Sequence, residues 1–199
     1  MEALTLARWS MAQQKPVASD EDSLVNAARH DSEAMAQLFR RYYPPITQYI
    51  HRRTGDRAVA EDLSSEVFLA MVRYLPRYRI GNTPFRAWLY RIATNQVNRW
   101  ASRKRRWSWL PLGDHAATEK ESTSEEAAHI RMALLKLPVH YQSALALHYL
   151  EDMSLETVSQ VLGCAIGTVK SRLARGRAML SKLLTEHENR HEHKTEERS

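Results

Sequence analysis

"MSLETVSQVLGCAIGTVKSRLARGRAML", Met153 to Leu180, carries two amphipathic patterns separated by a turn. Ser154 stands directly before Leu155, Val158, Val161 and Leu162, whose spacing of three and four predicts a short helix with a serine cap. Gly163 comes next, the residue type that ends a helix in the left-handed conformation without a steric penalty. Beyond Cys164, Ala165 and Ile166 a second stripe begins, formed by Val169, Leu173, Leu180 and Leu184. Between its apolar positions lie Lys170, Arg172, Arg175 and Arg177, and no acidic residue.

A short helix, a glycine-containing turn and a second helix with a basic outer face form the helix-turn-helix arrangement. Packing the second stripe on the first helix leaves the opposite face free to enter a DNA major groove. Thr168, Lys170, Ser171, Ala174 and Arg175 occupy that face, with Arg172 and Arg177 at its margins. Arginine and lysine donate to guanine edges or phosphates, and the hydroxyls serve either role. A merely solvated basic face is the plainer alternative, but four cations with no acid directly after such a turn favour DNA.

Working upstream, the same helical spacing dominates. Glycine is scarce, strand-like alternation is nearly absent, and the chain reads as all-α, with two small helical domains joined by a flexible acidic linker. A second block starts near Glu125: Ile130, Ala133, Leu134 and Leu137 predict one helix closed by Pro138, and Tyr141, Leu145, Leu147, Tyr149 and Leu150 the next. Residues 107–124, including "PLGDHAATEKESTS", lose the periodicity and turn acidic, which marks the linker. The first block, 23–106, opens with helices drawn by Leu24, Ala27 and Ala28, then by Met35, Leu38, Phe39 and Tyr42. The pair Pro44-Pro45 is expected to interrupt the second of these. Leu63, Val67, Phe68, Met71, Val72 and Leu75 predict a third helix, ended by Pro76. After the loop "RYRIGNT", Thr83 and Pro84 suit the start of a long helix. Its stripe is Phe85, Trp88, Leu89, Ile92, Ala93, Val97 and Trp100, leaving Arg86, Tyr90, Arg91, Thr94, Asn95, Asn98 and Arg99 on or near the other face.

From Met71 to Leu110 there are ten Lys or Arg and no Asp or Glu, together with four of the five tryptophans. Cations interleaved with aromatic rings suit single-stranded nucleic acid, because unstacked bases gain about 1–3 kcal/mol each on an aromatic face. Most of these rings lie on the apolar stripe and are expected in the core, so the amides of Asn95 and Asn98 are the more informative candidates. Asp62 and Glu66, four apart, offer an acidic surface to a basic partner; without a third ligand they make a poor metal site. No phosphate-binding glycine loop, zinc spacing or nucleophile arrangement is present, so neither an enzyme nor a bound cofactor is expected.

The 199 residues carry a net charge of +6 and a pI near 9.6, which favours an anionic partner. Cys164 is the only cysteine, so no disulfide forms within the chain, and a cytoplasmic setting is expected. No apolar run approaches the roughly 20 residues of a membrane span. Residues 1–22 read as a disordered leader, with Met11 an alternative start, and 185–199 as a charged, His-rich tail that frays.

Taken together, "AEDLSSEVFLAMVRYL", "TPFRAWLYRIATNQVNRW" and "MSLETVSQVLGCAIGTVKSRLARGRAML", in this order and around an acidic linker, resemble an extracytoplasmic-function (ECF) sigma factor of the sigma-70 family. The resemblance covers about Ser23 to Leu184. It implies docking on core RNA polymerase through Asp62, Ser65, Glu66 and Phe68, with Ser65 standing where the family often has Gln. It also implies minus-10 recognition and strand melting by the loop residues Arg77, Tyr78, Arg79 and Asn82 with Arg91, Asn95, Asn98 and Arg99. Minus-35 recognition falls to Thr168, Lys170, Ser171, Arg172, Ala174, Arg175 and Arg177. The domains are then region 2 (23–106) and region 4 (125–184). The implied partners are core RNA polymerase, promoter DNA as duplex and as non-template single strand, and an anti-sigma factor, with no small-molecule substrate. The linker's 18 residues extend to about 60 Å at about 3.4 Å each, nearly two duplex turns of roughly 34 Å. A free-standing helix-turn-helix regulator is the alternative; it needs no melting helix.

Overall fold

A computed structural model describes residues 20–81, 83–107 and 125–196, and every regular element among them is helical. The leader up to residue 19, Asn82 and the linker residues 108–124 lie outside the described residues. Two compact units divide the chain, Met1–Phe39 and Arg40–Ser199.

In the first unit, α1 (Asp20–Ala27) places Asp20, Glu21 and Asp22 in its first turn, where carboxylates complement the helix dipole. Asp31 then caps α2 (Ser32–Thr54): its carboxylate accepts from the backbone N–H of Glu33 at 3.1 Å and of Ala34 at 3.2 Å. Val25, Ala28, Ala34 and Leu38 are buried.

The expected break at Pro44-Pro45 does not occur, and α2 runs through both prolines into the second unit. A proline inside a helix costs about 3 kcal/mol, while burying one large apolar side chain contributes about 1.5–3 kcal/mol. Tyr42, Ile46, Tyr49 and Ile50 are all buried around the prolines and offset that cost. Pro44 and Pro45 have no N–H to donate to the carbonyls four residues back, those of Arg40 and Arg41, which are both exposed residues.

Gly55, at φ 71°, makes the turn into α3 (Arg57–Tyr74), and Asp56 caps it by accepting from Val59 N–H at 3.0 Å. Leu63, Val67, Phe68, Met71 and Leu75 are buried as their spacing predicts; Val72 is 51% exposed and falls off the stripe. A single 3-10 turn, Leu75–Arg77, follows, and the Tyr78 hydroxyl donates to the Thr83 carbonyl at 2.6 Å to close the loop. The long helix α4 (Phe85–Trp107) begins with Trp88 N–H donating to Pro84 O. Phe85, Leu89, Ala93 and Val97 are buried; Trp88, Ile92 and Trp100 are half-buried.

After the linker come α5 (Glu125–Lys136) and α6 (Val139–Leu145), the latter widening into a π turn at Ala146–Leu150. Ala133, Leu134, Leu137, Leu145 and Leu147 are buried, whereas Ile130, Tyr149 and Leu150 are exposed, contrary to the stripe read from sequence. The π turn rotates the last two residues outward. Helix α7 (Leu155–Leu162) has the expected caps: Ser154 accepts from Thr157 N–H, and Gly163 sits at φ 62° in the left-handed region. Helix α8 (Ile166–Glu196) crosses α6 at Gly176, where an added Cβ would lie 3.1 Å from Leu145 Cδ1. Its backbone is helical to Glu196, and neither Pro nor Gly follows Gly176 to break it.

Candidate nucleic-acid interface

Helix α8 presents its basic face as the stripe dictates. Val169, Leu173 and Gly176 are buried against the neighbouring helices, so Lys170, Ser171, Ala174, Arg175 and Arg177 emerge exposed, with Thr168 and Arg172 half-buried at the edge. Ala174 leaves space between the longer side chains of Ser171 and Arg175. Ser171 Oγ donates to the Thr168 carbonyl at 2.9 Å, and Arg172 reaches Cys164 Sγ at 3.7 Å, which fixes the two margins of the face. Cys164 is half-buried and fills the turn.

On α3, Asp62, Ser65 and Glu66 are exposed along one face. Ser65 Oγ donates to the Glu61 carbonyl of the preceding turn, which engages that hydroxyl inside its own helix. Phe68 lies beneath this face, 4% exposed, with its ring 5.5 Å from that of Tyr43. An open groove of about 480 Å³ runs between α3 and α4, lined among others by Glu66, Leu69, Tyr74, Asn95 and Arg99. Residues assigned to docking and to melting thus share one surface. Leu69, missed in the sequence, lines the groove and is 71% exposed.

The minus-10 set divides. Arg77, Arg79, Arg91, Asn95 and Arg99 are exposed. Tyr78 is buried: its ring lies tilted 5.1 Å from Trp88 and edge-on 5.7 Å from Phe85, so it shapes the loop from beneath. Asn98 is half-buried, its Oδ1 accepting from Arg53 Nη2 at 3.1 Å and from Ser143 Oγ at 3.4 Å. Asn82 lies outside the described residues.

Tyr90 and Thr94, expected on the polar face of α4, are 1% and 2% exposed. Tyr49 covers both, with its hydroxyl 2.8 Å from Thr94 Oγ1 and its ring 5.2 Å from that of Tyr90. The Tyr90 hydroxyl donates to Glu151 Oε2 at 2.5 Å. Arg52 donates to Glu151 Oε1 at 3.3 Å, and Arg86 to the Glu151 carbonyl. Burial raises the Glu151 carboxyl above its ordinary range despite the opposing pull of Tyr90 and the two arginines. Burial, and then the Glu151 carboxylate, push the Tyr90 phenol well upward. Nothing in the sequence marked Glu151, which looks like any surface acid after a helix.

Residues 38–107 match the family model for sigma-70 region 2, and residues 128–180 that for sigma-70 region 4. RNA polymerase sigma-H factor of Pseudomonas aeruginosa is 32% identical over 83% of this chain and 93% of its own length. ECF RNA polymerase sigma factor SigW of Bacillus subtilis is 31% identical, over 77% of this chain and 90% of that one. Among solved structures, CnrH in complex with the cytosolic domain of CnrY superposes with a TM-score of 0.67 at 27% identity, covering 84% of this chain and 98% of that chain.

Two family regions in order, on a frame whose described elements are all helical and include a helix-turn-helix, define an RNA polymerase specificity factor rather than a free-standing regulator. The chain belongs to the sigma-70 family, in its ECF group of RNA polymerase sigma factors. Among the described residues no helix is long and apolar enough to cross a membrane, and no three His, Cys, Asp or Glu cluster as a metal site.

Proposed function

We propose that this chain binds core RNA polymerase through the α3 face of Asp62, Ser65 and Glu66, with Phe68 supporting it from below. Leu69 adds an apolar centre to that contact. Promoter DNA is then read at two places. Arg175, Lys170 and Ser171 address the minus-35 duplex, with Thr168, Arg172 and Arg177 on flanking phosphates and Ala174 leaving room for a base. Asn95, Arg91 and Arg99 hold the melted non-template strand beside the loop of Arg77, Arg79 and Asn82, with Asn98 joining them. Region 2 spans 23–106 and region 4 spans 125–184, tethered by the acidic linker. The factor acts in the cytoplasm, supplies no catalytic group itself, and takes an anti-sigma protein as its regulator.

The observation that carries this reading is the exposed cationic face of α8 set directly behind a correctly capped turn. Run-off transcription with purified core polymerase on upstream fragments from the source genome tests it. Initiation that depends on the protein, at fragments sharing two spaced elements, is expected. Tight duplex binding without core association or initiation would return the chain to the free-standing class.

A further inference from the structure

We propose that Tyr149, which lies outside the helix-turn-helix, joins Arg177 in a two-residue site for one backbone phosphate at the flank of the minus-35 duplex. This rests on the sigma-factor reading above.

The geometry brings the two residues together across 28 positions of sequence: Arg177 Nη1 donates to the Tyr149 hydroxyl oxygen at 3.1 Å. Arg177 follows Lys170 by seven residues, about two turns, so the two cations share one edge of the exposed face of α8. Tyr149 arrives at that edge from α6. In a continuous α-helix it would stand one turn beyond Leu145, on the buried stripe. The π turn at Ala146–Leu150 rotates it outward instead, and it is 50% exposed. Widened turns of this kind recur at functional sites. The neighbouring His148 flanks the Tyr149 ring edge-on at 4.7 Å, and its own Nδ1–H is held by the Met153 carbonyl at 2.8 Å.

The chemistry of the pair selects an anion that carries no proton. The Tyr149 oxygen accepts from Arg177, and among the described residues its own proton has no acceptor. Nor does any acidic side chain among them pair with Arg177. One O–H and the remaining guanidinium N–H groups therefore stand at one exposed edge with a positive charge and nothing to donate to. A phosphodiester supplies two anionic oxygens for such donors. The hydrogen bond to Tyr149 also restricts the long Arg177 side chain before DNA arrives, which lowers the ordering cost of binding.

The test uses holoenzyme assembled from core polymerase and the full chain, with a promoter duplex recovered by the run-off experiment as the probe. Tyr149→Phe keeps the ring and removes the hydroxyl; closed-complex affinity is expected to fall about fivefold, the equivalent of one hydrogen bond. Arg177→Ala should weaken binding and reduce the slope of log affinity against log salt by about one. Together the two should lose less than the product of the single losses, because both groups serve one phosphate. A neutral methylphosphonate then replaces each phosphate flanking the minus-35 element in turn. One position should weaken the wild type and have little further effect on the double variant. Should Tyr149→Phe destabilise the protein, this comparison, made within each protein, still decides. Unchanged affinity in Tyr149→Phe, losses that multiply, or a scan in which every position affects wild type and double variant alike overturns the proposal. So does weaker core association with unchanged promoter affinity of the assembled holoenzyme, which assigns the pair to an acidic protein surface. Core-dependent transcription by the wild type is measured alongside. Its absence defeats the sigma reading, whereas its presence with any of these contrary outcomes defeats this inference alone.

Discussion

The Tyr90 hydroxyl meets the Glu151 carboxylate at 2.5 Å across 61 residues of sequence, joining the second turn of α4 to the turn that leads into the helix-turn-helix. Both groups have ordinary surface chemistry, yet both are buried. Desolvation outweighs the attraction of Arg52 and Arg86, and the Glu151 carboxyl is raised.

The sign of the pH effect follows. A carboxyl raised in the folded state holds its proton at a pH where the unfolded chain has lost it. The stability it contributes is complete below the ordinary carboxylate range and is lost as pH rises through the folded value. Glu151→Gln keeps a neutral partner for Tyr90 and removes this loss. We expect it to melt above wild type at neutral pH, with the difference shrinking as pH falls into the ordinary carboxylate range. Thermal melts of both proteins across that range check it; a variant less stable at neutral pH would show that the ion pairs dominate.

Gly163 holds the α7 terminus at φ 62°. A side chain there faces left-handed strain of about 1–2 kcal/mol, and an added Cβ would sit 3.4 Å from Arg91 Nη2. Gly163→Ala is expected to lower stability by about 1 kcal/mol, and Gly163→Asn by less, since Asn tolerates this conformation. Urea denaturation of the three proteins distinguishes them.

Local grammar made the helix-turn-helix legible: Ser154, Gly163 and the spacing of Val158, Val161, Val169 and Leu173 each act within one or two turns. The same kind of reading failed at Pro44-Pro45, where burial of Tyr42, Ile46 and Tyr49 outweighs a local penalty. It failed again at Tyr90 and Thr94. An amphipathic pattern reveals the first face that a helix buries, but a second face covered through hydrogen bonds looks polar in sequence. Glu151 and Gln142 were hidden for that reason, and the exposed Tyr149 and Leu150 because a π turn shifts the register of everything after it.

Arg175 is exposed on α8, one turn beyond Ser171. Arg175→Ala should weaken binding of the polymerase holoenzyme to its promoter by about 1–3 kcal/mol if the guanidinium meets a base edge. Competition against a duplex scrambled only in the minus-35 element measures the effect. Loss confined to the specific duplex identifies base reading, and equal loss on both identifies a phosphate contact.

Asn95 and Tyr78 separate strand capture from loop architecture. Asn95 is exposed in the α3–α4 groove, so Asn95→Ala removes an amide without disturbing the core. It should lower permanganate reactivity of thymines at the start site several-fold while leaving closed duplex binding and the melting temperature unchanged. Tyr78 is buried against Phe85 and Trp88, and its hydroxyl ties the loop to Thr83. Tyr78→Ala should therefore reduce both promoter opening and stability, the latter by about 3–5 kcal/mol as for other large aromatic truncations in a core. Tyr78→Phe keeps the ring and loses one hydrogen bond worth about 1 kcal/mol, so it should retain most opening. If Asn95→Ala leaves permanganate reactivity intact, the melted strand is held elsewhere on α4, and the exposed Arg91 and Arg99 become the residues to replace next.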